Sequence, residues 1–102
     1  MRRKLTGILA LCVLLPAGAA AQDLDRAAVQ VLAGPCASCH GPDGHSPGAI
    51  PSIAGQPREQ LQDRMLAFRS GSEPSTVMGR HMRGYDEAQI AALAQWFSEI
   101  GQ

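Results

Sequence analysis

Apolar residues recur at helical spacing in three stretches of this chain, and no stretch shows the two-residue alternation of a strand. The clearest stretch is the last. Ile90, Leu93, Ala94, Phe97 and Ile100 form one apolar face, Asp86 stands ahead of it as a cap, and Gln89 three residues on completes a capping box. In the middle stretch Leu61, Met65, Leu66 and Phe68 recur at helical spacing; Pro57 suits the first helical position, and Ser70-Gly71 ends the run. The first helix is predicted to start at Asp23-Leu24-Asp25 and to carry Ala27, Ala28, Val29, Val31 and Leu32. Gly34-Pro35 is expected to end or kink it. Residues 41–56 and 72–84, rich in Gly, Pro and Ser, predict two long loops. The reading is all-α: three main helices and two loops long enough to be functional.

The first residues follow a different pattern. Met1-Arg2-Arg3-Lys4 is a basic start, residues 5–15 are apolar, Pro16 and Gly18 break the run, and Ala19-Ala20-Ala21 offers an A-x-A cleavage site. Residues 1–21 are therefore expected to be a cleaved signal peptide, and residues 22–102 a single exported domain in the periplasm. The apolar run is too short to span a bilayer, so no stable membrane insertion is expected after cleavage. Cys12 follows Leu11, where a lipid-anchor motif wants a small residue, and is read as one more apolar position.

Removing the signal changes the charge. Residues 22–102 keep six arginines and no lysine against nine carboxylates, an acidic balance that argues against a nucleic-acid partner. Two cysteines remain, too close in sequence for a disulfide to constrain much of the chain. A domain of about 80 residues has a marginal core unless a metal, disulfide or cofactor staples it.

Cys36-Ala37-Ser38-Cys39-His40 supplies such a staple. This is the C-x-x-C-H signature of covalent haem attachment. Two residues between the thiols let each sulfur reach one of two neighbouring vinyl groups, and the adjacent His40 is carried under the iron. The large apolar ring then replaces side chains that a chain with only four aromatic residues lacks. A thioredoxin-type reading would need a βαβ context. A zinc site would need four ligands, with His40 awkwardly placed beside Cys39.

The opposite face of the iron needs a second ligand from further along. Met65 falls on the apolar face of its helix and is read as core. His45 is too near His40 to cross the ring. Met78, His81 and Met82 share the second loop, at a distance suited to wrapping the far face. A thioether there would stabilise ferrous iron and raise the potential. Arg80, His81 and Arg83 also cluster in this loop, with Arg58 and Arg69 as further members of a basic patch.

With these residues in view, the chain resembles the class I cytochromes c, and within them the cytochrome subunits of flavocytochrome c sulfide dehydrogenases and the cytochrome c4 group. The resemblance spans residues 31–97. It is carried by Cys36-Ala-Ser-Cys-His-Gly-Pro-Asp-Gly, Pro51-Ser-Ile-Ala-Gly-Gln, Phe68-Arg-Ser-Gly, Pro74-Ser-Thr-Val-Met-Gly-Arg and Gly84-Tyr-Asp. It implies the small class I cytochrome c fold around one covalent haem c held by Cys36 and Cys39, with His40 and Met78 on the iron. It further implies that the Pro51 carbonyl holds the other nitrogen of His40. The implied role is electron transfer, without bond-making chemistry, as the haem subunit accepting electrons from an FAD-containing, sulfide-oxidising flavoprotein. A free-standing cytochrome serving a terminal oxidase or other periplasmic redox proteins is the alternative. Two features depart from the group: there is a single C-x-x-C-H, and His81-Met82 stands where the group carries Ile-Ala.

Overall fold

The computed structural model describes residues 24–101. The expected signal peptide, its cleavage site and Cys12 lie outside them. Four α-helices are present among the described residues: α1 (Arg26–His40), α2 (Arg58–Ser70), α3 (Met78–Met82) and α4 (Glu87–Ser98), with a 3-10 turn over Pro42–Gly44.

α1 begins where the Asp25 carboxylate accepts the Ala28 amide at 2.7 Å. It does not stop at Gly34-Pro35; it continues unbroken to His40. Both residues sit on the exposed side, where the Val31 carbonyl that Pro35 cannot pair is free to meet water, so the usual penalty of an internal proline is softened. The continuation puts the whole C-x-x-C-H segment on the last turns of a helix rather than in a loop after it.

α4 has both halves of its capping box: the Asp86 carboxylate accepts the Gln89 amide at 2.8 Å, and the Gln89 side chain accepts the Asp86 amide at 3.0 Å. Its inner face, Ile90, Leu93, Ala94 and Phe97, is buried. Leu93, Ala94 and Phe97 pack with Val29 and Ala33 of α1 and Leu61 of α2 into one core. Each large side chain buried there contributes about 1.5–3 kcal/mol. The fully buried set is short, which is the shortfall that a covalently held ring would offset. Met65 packs against this core.

The second loop contains α3, a helix that periodicity did not predict. Five residues are too few to show a 3.6-residue rhythm. The turn is stabilised instead by the Ser75 hydroxyl, which accepts the Gly79 amide at 2.7 Å, and by packing against α2. Among the described residues, no helix is long and apolar enough to cross a membrane.

Candidate functional site

On α1, Cys36 and Cys39 are three residues apart and Cys36 and His40 four, so all three share one side of the helix. Cys36 is half-buried, Cys39 exposed, and His40 buried at 8 % exposure. Cys36 and Cys39 are not joined in a disulfide. Burial pushes the Cys36 thiol above its ordinary value, partly offset by a backbone hydrogen bond. Among the described residues, no group of three or more His, Cys, Asp or Glu side chains lies close enough together to hold a metal ion.

His40 is fixed by the loop that follows it. Its Nδ1 lies 2.6 Å from the carbonyl oxygen of Pro51. A carbonyl only accepts, so the proton of the neutral ring sits on Nδ1 and the Nε2 lone pair is left free for a metal.

Local backbone chemistry brings Pro51 there. Gly41 follows His40 with φ 85°, and a Cβ on it would overlap the His45 carbonyl. Three residues on, Gly44 at φ 81° accepts the Ile53 and Ala54 amides at 2.9 and 3.2 Å. The Gly55 amide donates to Phe97 on α4 at 2.8 Å. Ser52 braces the same stretch. Its hydroxyl accepts the Ser46 amide at 2.8 Å, and its carbonyl accepts the Gln56 side-chain amide at 2.9 Å. The bracing role of Ser52 was not anticipated from the sequence, where it stood only as a neighbour of Pro51.

Across the fold, the three distal candidates separate by burial. Met82 is 1 % exposed and enclosed as core. Met78 and His81 are half-buried, one turn apart on α3. His45 is exposed on the first loop. Tyr85, which sequence reasoning gave no role, links α3 to α1. Its hydroxyl donates to the Leu32 carbonyl at 3.2 Å, and its ring meets that of His81 at 5.7 Å between centroids. Burial, and secondarily the nearby Cys36 sulfur, push its phenol above the ordinary range. Two arginines of the expected basic patch act as braces: Arg69 Nε donates to the Tyr85 carbonyl at 2.9 Å and Arg83 Nε to the Gly79 carbonyl at 3.1 Å. Arg80 and Val77 remain exposed beside Met78, Val77 at 60 %.

Two thiols and an imidazole on one helix end, with the imidazole's metal-binding nitrogen freed by a backbone carbonyl, are the donor set of a c-type haem chain. The chain belongs to the cytochrome c family, whose sequence model matches residues 26–100, and it carries one haem c attached through Cys36 and Cys39. It is 41 % identical over 73 residues to the cytochrome subunit of sulfide dehydrogenase of Chlorobaculum tepidum, covering 72 % of this chain and 66 % of that one. It is 35 % identical over 71 residues to the thiosulfate dehydrogenase electron acceptor of Stutzerimonas stutzeri, covering 66 % of this chain and 33 % of the relative. Cytochrome c4 of Azotobacter vinelandii is 33 % identical over 84 residues, 72 % of this chain and 40 % of its own length. The chain thus spans between a third and two thirds of these curated relatives.

Proposed function

We propose that this chain is a periplasmic electron acceptor, exported by a cleaved signal peptide, that takes electrons from an FAD-containing, sulfide-oxidising flavoprotein. The observation that carries its redox role is the His40–Pro51 contact, which commits the imidazole to one tautomer and leaves Nε2 for the iron. Cys36, Cys39 and His40 would hold the haem, which when bound would supply one-electron chemistry. Cys36 and Cys39 anchor the ring. His40 would supply one iron ligand, its basicity raised by the Pro51 carbonyl. Met78 would supply the second iron ligand, a thioether, a reading supported by the enclosure of Met82 in the core and by the Pro74-Ser-Thr-Val-Met-Gly-Arg stretch.

The choice of donor rests on similarity to the sulfide dehydrogenase cytochrome subunit. Exposed Val77 and Arg80 beside Met78 offer an apolar and a cationic contact for it. The alternative, a free shuttle between redox proteins, is favoured by the similarity to cytochrome c4. One experiment separates them. Native protein is purified through high salt and its haem is challenged with sulfide. A subunit stays bound to its flavoprotein and is reduced by sulfide only in that partner's presence. A monomer reduced equally well by unrelated donors, at rates that fall steeply with salt, would establish the shuttle.

A further inference from the structure

His81 carries the only buried side-chain nitrogen or oxygen atom among the described residues that lacks a hydrogen-bond partner, its Nε2. An unpaired polar atom held away from water is unfavourable, and a half-buried ring on a single-turn helix avoids that cost when it turns outward. It does not turn outward. Its ring packs on Tyr85, and Tyr85 is tied through its hydroxyl to α1 at Leu32. His81 therefore sits on the side of α3 that looks across to the haem-attachment helix. Met78 is three residues earlier in the same turn, so the two side chains are neighbours on one face. α3 itself is short, and its N-cap residue Val77 gives no side-chain cap.

Imidazole and thioether are both established ligands of haem iron. The softer thioether favours the ferrous state, whereas imidazole competes best for ferric iron. We propose that His81 is a second distal ligand of this chain, held in reserve one helical turn from Met78 and taking the ferric iron whenever the thioether is not on it. The proposal rests on Met78 being the resting ligand, so its test reads the two assignments separately.

The test uses the full chain matured with haem, examined by optical and electron paramagnetic resonance spectroscopy. Wild-type ferric protein should show the weak sulfur-to-iron band at the red edge of the visible spectrum, and Met78→Ala should lose it. With His81 present, Met78→Ala should nonetheless remain low-spin with a bis-imidazole signature, and Met78→Ala/His81→Ala should turn high-spin. A high-spin single variant, or a low-spin double variant, would overturn the reserve role while leaving the Met78 assignment standing. A wild-type spectrum without the sulfur band that turns high-spin in His81→Ala alone would make His81 the resting ligand, overturning both. Should Met78→Ala accumulate poorly, His81→Leu supplies the same comparison. In guanidinium just sufficient to remove the sulfur band, wild-type haem should stay low-spin and His81→Leu haem should become high-spin; identical spectra would refute the proposal.

Discussion

Gly44 and Gly34 offer a paired test of how this loop is built. Gly44 adopts φ 81°, and a Cβ placed on it would come within 2.9 Å of Ile53 Cγ1 and 3.0 Å of the Phe97 ring. Alanine there meets two costs: about 1–2 kcal/mol for a left-handed backbone and about 1–3 kcal/mol for overpacking. The expected loss is therefore about 2–5 kcal/mol. In a domain of this size, each kcal/mol moves the midpoint by about 4–8 °C, so Gly44→Ala should lower Tm by about 10 °C or more. Gly34 lies inside α1, and a Cβ on it meets nothing within 4 Å. Gly34→Ala should gain about 0.5–1 kcal/mol, because alanine is the better helix former. Guanidinium unfolding of both haem-loaded variants, followed by helical circular dichroism, gives the two free energies. The Gly44 carbonyl also holds the Ile53 and Ala54 amides, just beyond Pro51. Loosening it should weaken the His40–Pro51 bond, lower the basicity of the imidazole and move the reduction potential upward. A Gly44→Ala protein within about 0.5 kcal/mol of wild type, the range of an ordinary surface change, would refute this account of the loop.

Other outcomes follow from the packing and from the chain's start. Leu93 is fully buried between helices, so Leu93→Ala should cost about 2–5 kcal/mol in the same unfolding assay. Asp86→Ala should cost about 0.5–2 kcal/mol by removing one half of the α4 capping box, with no change in the haem spectrum. Intact-mass measurement of the native protein should find a chain beginning at Gln22 with one haem added; a species retaining residues 1–21 would refute processing at Ala21.

Where local chemistry decides structure, the sequence was readable. Asp86 and Gln89 announce α4, its apolar face follows at regular spacing, and Ser70-Gly71 marks the end of α2. Cys36-Ala-Ser-Cys-His announces the haem chemistry because the attachment reaction itself demands that spacing. Other features depend on tertiary context. Pro35 lies inside α1 because its side of the helix faces water, which no local pattern reveals. α3 is too short for periodicity, and the hydroxyl that accepts its Gly79 amide belongs to Ser75, three residues ahead of the helix. The separation of Met82 from Met78 is a matter of which thioether the core encloses, and only packing decides that. The eleven-residue reach from His40 to Pro51 was suggested by resemblance alone. The residues that build it, Gly41 and Gly44 with positive φ and Ser52 with its two hydrogen bonds, act through a loop without periodicity.

The optical spectrum of the purified ferric protein tests most directly the claim that this chain holds a haem between His40 and Met78 for electron transfer. The account predicts a low-spin spectrum with a weak sulfur-to-iron charge-transfer band at the red edge of the visible, disappearing reversibly on one-electron reduction. A high-spin spectrum with an open iron position would contradict it.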